Sequence, residues 1–447
     1  MASTGKILMI LLLTIGCGAT QTVPTYTIYD SYDDVIKSED AIYSEAVRVT
    51  PTSDNGQPAY HGFYFYNCKQ FDPTGRYMLA MRIYIEGREV EATDVGVIGI
   101  VDLQDNNKWN EIGRTTAWNW QQGARLQWRP GVRDEVIWND RAEDGTHFVS
   151  RIYNTQTKQT RTLPRPFYAL SSDGQTAMTH DFERMEHKGT PYVGISDKYE
   201  DEWAPKETGI FNMNLNTGES KMIMSVDQIA DYIFPDGRPE PAKGRMFIFR
   251  ESFNPSGTRF MTFIRDMKNK RRELPFTVTS FSMTPDGGNV RFLYDWPTHH
   301  FWIDDETIMD WTGRYIPPGK TEPVPGYYLY KDDGSGQPKE LLFEAAVNGH
   351  DTYHPNREWV VTDTYSIDGY IYLYMYHLST KKYVPIGKFK YMLGGKHFTE
   401  NPRVYRVDLH PRVTPDGNII SIDSTHEGFG RQIYNIDISH IVDNPPR

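Results

Sequence analysis

The chain has 447 residues, with 36 Gly, 28 Pro, 10 Trp, 29 Tyr and 21 Phe but only 2 Cys. That aromatic content supplies a core and excludes a disordered chain, while two Cys cannot staple a fold of this length. A formal net charge of −11 argues against non-specific nucleic-acid binding, and it repels any polyanion unless basic residues gather in one cleft.

In chain order, Lys6 comes first, followed by the apolar stretch 7–15 (ILMILLLTI) and the small residues Gly16, Gly18 and Ala19. The pattern predicts an export signal over residues 1–20, too short to span a membrane, with residues 21–447 left as one domain. Cys17 follows Leu13-Thr14-Ile15-Gly16 and also resembles a lipoprotein box, with Thr14 where Leu is usual. Secreted or periplasmic release and a lipid anchor at the outer membrane both stay open. No later segment is apolar enough to predict a membrane span.

Strands are predicted at 25–30 (TYTIYD), 77–85, 95–103, 135–140, 259–266, 359–365, 370–378 and 418–424, all rich in β-branched or aromatic residues. Helical periodicity supports one helix, 225–232 (SVDQIADY), with Ser225 as N-cap. Seven turns share a plan: FDPTG (71–75), WRPG (128–131), LSSDG (170–174), FNPSG (253–257), MTPDGG (283–288), YHPN (353–356) and VTPDG (413–417). An apolar residue leads, a Pro/Asp/Ser/Gly turn follows, and a strand begins; the Gly supplies the positive φ that tight turns need. Seven units over roughly 427 residues give about 61 each, room for a four-stranded blade and a long loop. The sequence therefore predicts an all-β fold, a single seven-bladed β-propeller; two β-sandwich domains are the alternative.

G-x-S-x-G, P-loop and Rossmann fingerprints are absent, and His426-Glu427 does not continue as H-E-x-x-H. Three clusters remain. Trp118, Trp120, Gln121, Gln122 and Arg125 fall in WNWQQGARLQW (118–128), where aromatic faces beside amide donors suit a sugar ring, or equally pack between blades. Tyr168, His180, Asp181 and Arg184 lie at one end of a predicted hairpin, where an arginine lowers a neighbouring phenol's pKa for proton transfer, or simply bonds it. His299, His300, His350, His354, His410 and His426 come from different blades and are candidates to meet on a central channel around a divalent metal, without any close ligand motif. His61 stands before the first turn and is either structural or on the same face.

WNWQQGARLQW, FYALSSDG (167–174) with DFERM (181–185), HFW (300–302), NGHDTY (348–353) and DLHPRVTPDGNIISIDSTHEG (408–428) together resemble the propeller polysaccharide lyases: the oligogalacturonate, ulvan and rhamnosyl-glucuronate lyases. The likeness runs through most of the chain and implies an exported carbon–oxygen lyase that cleaves an anionic, uronate-containing glycan by β-elimination. It implies Tyr168 as acid or base, Arg184 neutralising the substrate carboxylate, and His300, His350 and His410 as ligands of Mn, Zn or Ca. Two departures follow. Gln121 or Gln122 stands where relatives have an active-site histidine, and Phe249-Arg250-Glu251-Ser252 replaces a stretch that carries another, so the chemistry leans on Tyr168 with His61 or His180. A polyuronate substrate requires Arg125, Arg184, Arg403, Arg406 or Arg412 to form a basic cleft. The expected protein is a monomer with no nucleic-acid partner. The competing readings are a non-catalytic TolB-like propeller that binds glycan or protein, and a glycoside hydrolase using two of Asp181, Asp363 and Asp423.

Overall fold

The recurrent turns prove to be hairpins around the hub of a ring. The computed structural model describes residues 26–185, 190–238, 244–267, 277–391 and 406–447; the expected export signal, Cys17 and Arg403 lie outside the described residues. Apart from a short ribbon, the strands pair into seven four-stranded antiparallel sheets, so the chain is a seven-bladed β-propeller. The innermost strands of blades 1 to 7 are Tyr60–Gly62, Gln127–Trp128, Ala169–Leu170, Arg245–Phe253, Phe301–Trp302, Asp351–Tyr353 and Arg412–Val413.

Six of the seven turns join an innermost strand to its neighbour. Gly75, Gly174, Gly257 and Gly417 take φ of 72°, 68°, 72° and 84°. Each donates its N–H to the carbonyl three residues back, on Asp72, Ser171, Asn254 and Thr414. The turn at 283–288 does something else: it links the third and fourth strands of blade 4, Thr277–Met283 and Arg291–Asp295. Blade 5 makes its hub hairpin through Asp304, whose carboxylate accepts from Glu306 N and Thr307 Oγ1, with neither Gly nor Pro to announce it. The sequence count of seven thus rests on one displaced turn and one unrecognised turn.

Blade 7 closes the ring by taking its outer strand, Ala46–Arg48, from the other end of the chain, paired with Gln432–Asp437. The predicted strand at 25–30 does not form. Its described part makes one bridge, Tyr29 to Tyr383, and Ser31 then caps the helix Tyr32–Lys37, whose Tyr32 packs 5.8 Å from Tyr374. Burying those rings against blades 5 and 6 wins over strand pairing. The helix Val226–Ile233 forms as expected, with a capping box between Ser225 and Gln228. Aromatic rings fill the seams between blades: Phe343 stacks on Tyr327 at 4.7 Å and on Tyr376 at 4.5 Å.

One departure from the blade plan shapes the hub. The inner strand of blade 1 stops at Gly62 and pairs again only at Phe71 with Met78. Between them residues 63–69 (FYFYNCK) leave the sheet, and Phe65 and Tyr66 meet side chains of blades 2, 4, 5, 6 and 7, which places the excursion in the channel. Gly62 permits this turn, since a Cβ there would stand 2.7 Å from Arg431 Cδ and 2.8 Å from Asp423 Oδ2.

Ring closure gives a direct test. Val49 continues the closing strand, is buried, and donates to Ile433 O at 2.9 Å. Val49→Pro removes that donor and leaves a buried carbonyl unmet, which costs about 1–3 kcal/mol. The expected outcome is a lower denaturation midpoint; an unchanged midpoint means the ring is not held by this strand.

Candidate active site

In an up-and-down blade, the links from second to third strand and from fourth strand to the next blade emerge at the same end. Tyr168, His299, His350, His410 and residues 118–126 all lie in or beside such links, so the fold brings them to one end of the channel. Buried carboxylates on second strands hold these links by their backbone. Asp423 accepts from Phe63 N at 3.1 Å and Tyr64 N at 3.0 Å. Asp363 accepts from His350 N at 2.6 Å and His410 N at 3.1 Å. In blade 5, Asp310 accepts from Thr298 N at 2.8 Å.

The histidines gather around Tyr66. His350 rests its Nδ1 against Asp363, 2.9 Å from Oδ1, and its ring centre lies 4.2 Å from that of His299 and 4.1 Å from that of His410. Fixing Nδ1 leaves Nε2 of His350 free to face Asp408 Oδ2 at 3.8 Å, and His410 Nε2 lies 4.0 Å from the same oxygen. His350, Asp408 and His410 are the one set among the described residues whose three potential ligand atoms all fall within 4.8 Å of each other. Burial pushes His299 and His410 well below the usual histidine range, so they stand neutral with a lone pair available. His410 Nδ1 has no hydrogen-bond partner among the described residues, and Asp408 Oδ2 takes no well-directed hydrogen bond although Arg406 Nε stands 2.7 Å away. Two imidazoles and a carboxylate fit a borderline divalent ion such as Mn or Zn.

His300 does not join this set. Its Nε2 shares a hydrogen bond with Ser252 Oγ of blade 4, and its ring lies 4.9 Å from Phe263. Neighbours on an extended chain point to opposite sides, so only one of the pair His299 and His300 can face His350.

A second group surrounds Tyr168. Gln122 Nε2 donates to its hydroxyl at 2.9 Å, and Arg125 lies 4.2 Å over its ring while donating to Tyr168 O at 2.8 Å. His180 is 5.4 Å away, stacked on Phe182, with Nδ1 2.7 Å from Glu251 Oε1. His180 Nε2, Glu251 Oε2 and Gln122 Oε1 are buried without hydrogen-bond partners among the described residues. Arg250 reaches the group through a bulge in the inner strand of blade 4, at φ 75°. The half-buried Arg265 is pushed down to about 9, first by loss of solvent and then by Arg250. The phenol of Tyr168 is itself shifted up, because burial outweighs the pull of Arg125 and Arg250; the expected lowering is reversed. A cavity of about 250 Å³ touches Tyr168, Arg125, Glu251 and Ser252.

Other candidates sit elsewhere. Arg184 is not beside Tyr168 in this network: it donates to Asp197 Oδ2 at 2.8 Å and to the carbonyls of Met246, Tyr199, Glu202 and Trp203, stapling the long link of blade 3. His61 accepts from Arg82 Nε at 3.0 Å and meets Gln432 and Trp109, contacts it does not share with Tyr168. Trp118 and Trp120 are buried and donate their indole N–H to Asp94 O and Arg88 O, which is seam packing. Gln121 holds Arg406, accepting at 3.1 Å from Nη2. Asp363 and Asp423 are occupied by backbone, Asp181 by Gly209 N and Arg165, and Arg412 by Asp423 and Gln70. The basic groups near the channel are therefore Arg125 and Arg406, with Arg250 and Arg265, which sequence patterns did not single out. Glu251 was likewise passed over; the only signal was that a replacement stretch in the family pattern put a charge beside another charge.

No protein-family profile matches the chain, and no characterised protein is detectably similar in sequence. Among solved structures, an oligogalacturonate lyase from Vibrio parahaemolyticus is similar with a TM-score of 0.58 at 13% identity, over 90% of this chain and 95% of that one. An oligogalacturonate lyase in complex with manganese is similar at 0.54 and 14%, over 92% and 96%. TolB from Acinetobacter baumannii, at 0.37 and 13% over 74% and 65%, is too distant to argue from. At these identities the likeness shows the propeller fold alone.

Buried neutral histidines make the fold acid-sensitive. Burial, with a nearby arginine, holds His61 and His300 at about 3, against about 6.5 in an unfolded chain. The unfolded state then binds more protons between those values, so stability is full above about pH 6.5 and is lost as pH falls toward 3. Asp310, raised to about 6 by burial, opposes part of this, since its contribution is lost as pH rises. The denaturation midpoint is expected to fall from pH 7 to pH 4, and His61→Gln to flatten that fall; equal slopes in both proteins would contradict the assignment.

Proposed function

We propose that the protein is an exported polysaccharide lyase that cleaves a uronate-containing glycan by β-elimination. One observation carries the reading: a buried tyrosine, a His–Glu pair, two arginines and a histidine–aspartate group meet at one end of a propeller channel. The similarity in fold to two oligogalacturonate lyases, one solved with manganese, supports it.

The groups divide the chemistry as follows. A carboxylate accepts but does not donate, so Glu251 fixes the proton of His180 on Nδ1 and leaves Nε2 as a base. Nε2 takes the C5 proton of the uronate, the C4–O bond breaks as the C4–C5 double bond forms, and the protonated phenol of Tyr168 gives its proton to the leaving oxygen. Proton transfer from His180 back to Tyr168 resets the pair. The C5–H is too weak an acid unless the adjacent carboxylate is neutralised, a task that falls to Arg125 and Arg250 in place of Arg184. His350, His410 and Asp408 would hold a divalent metal, which when bound supplies further positive charge at that end of the channel.

A second reading has its own observation. Tyr168 is fully buried and residues 63–69 pack the channel, as suits a propeller that binds glycan without turning it over. Incubation with oligogalacturonate, ulvan and gum-arabic side chains separates the two. The lyase reading expects ultraviolet absorbance from an unsaturated product, reduced about 10²–10⁴-fold in Tyr168→Phe and in His180→Gln. Binding with no absorbance on any of these glycans, with and without Mn²⁺, Zn²⁺ or Ca²⁺, establishes the second reading instead. Calorimetric titration with Mn²⁺ is expected to give one site that His350→Ala and His410→Ala each weaken at least about tenfold; an unaltered isotherm removes the metal from this group.

A further inference from the structure

A second cavity lies at the hub-hairpin end of the channel. The hub hairpins of blades 1, 2 and 7 enclose about 660 Å³ there, within the range of small-ligand pockets. Its wall contains Lys69, Arg129, Arg133 and Arg412 and no Asp or Glu, in a chain whose net charge is −11. Two of these cations are matched. Arg129 is bonded to Glu135, Asn216 and Gly174 O, and Arg412 to Asp423 and Gln70. Lys69 and Arg133 are exposed and have no carboxylate partner among the described residues.

The position of Lys69 is built rather than accidental. It ends the excursion that Asp423 anchors, and its carbonyl accepts from Trp128 N at 3.0 Å, which fixes the backbone of both residues on the cavity wall. Phe71, Pro130 and Trp128 give the same wall an apolar face.

We propose that this cavity binds a small organic anion with an apolar face, a uronate sugar, with its carboxylate held by Lys69 and Arg133. Capture of an anion follows from the charge of the wall; the choice of a sugar acid rests on the lyase reading above. The cavity does not itself reach Tyr168; the smaller cavity that does shares Lys69 and Pro130 with it, so Arg133 is the free cation that belongs to this site alone.

The test is calorimetric titration of the full chain with sodium galacturonate, neutral galactose and inorganic phosphate. Galacturonate is expected to bind saturably, at least about tenfold more weakly in Arg133→Gln and in Lys69→Met, more weakly at high salt, and undiminished in Tyr168→Phe. Arg133 is exposed, so Arg133→Gln reports on binding even where Lys69→Met fails to fold. Binding that survives Arg133→Gln but is lost in Tyr168→Phe places the ligand at the Tyr168 group and overturns the proposal. So does the absence of saturable binding, or phosphate or galactose binding as tightly as galacturonate. Binding that depends on Arg133, without any lyase product, would leave this site standing and overturn the lyase reading alone.

Discussion

The centre of this propeller hangs on two buried carboxylates that grip backbone rather than side chains. Asp423, on the second strand of blade 7, takes the N–H groups of Phe63 and Tyr64 as the chain quits blade 1, and Arg412 and Arg431 balance its charge. Asp363 does the same one blade earlier, for His350 and His410. A backbone N–H that leaves a sheet ladder inside a protein must find another acceptor, and a carboxylate is the strongest one the chain owns. Without Asp423 the excursion loses its anchor where it leaves blade 1; without Asp363 the two histidines have no common origin. The same use removes both residues from any two-carboxylate hydrolysis.

Burial then decides what each polar group at the hub can do. Excluding water raises the phenol of Tyr168 despite two nearby guanidinium groups and lowers His299 and His410. A protonated phenol and neutral imidazoles are the forms a proton donor and metal ligands need, so the cost of packing aromatic residues 63–69 into the channel also prepares the chemistry. Arg250 shows the same economy of structure. Its left-handed backbone, at φ 75°, makes the bulge that turns Glu251 toward His180.

How much of this was legible in the sequence depended on whether a feature was local. The propeller could be read because most hub hairpins advertise themselves within five residues, through a Pro/Asp/Ser turn and a Gly at positive φ, with Arg357 at φ 61° in blade 6; blade 5 was missed because Asp304 does the same work through its side chain. His350, His410, Tyr168, His180, Gln122 and Arg125 could be named from composition. Their partners could not. His180 meets Glu251 across 71 positions of sequence and Gln121 meets Arg406 across 285, and no spacing rule reaches that far. Arg184 is the opposite case. It is close to Tyr168 along the chain, yet Asp197, three carbonyls of its own long link and Met246 O of blade 4 claim its donors first.

The net charge of −11 therefore misleads if it is taken as one number. Asp423, Asp363 and Glu251 near the hub face inward and are already committed to backbone N–H groups or a histidine. The cations left over border the excursion: Arg125 and Arg250 lie over Phe65, Lys69 ends the segment and lines both cavities, and Arg133 stands on the wall of the larger one. A protein negative overall repels anionic chains from most of its surface and admits them only where the field reverses. Residues 63–69 bring Lys69 to the wall of both cavities, so the segment that fills the channel also supplies one of the cations that reverse the field there.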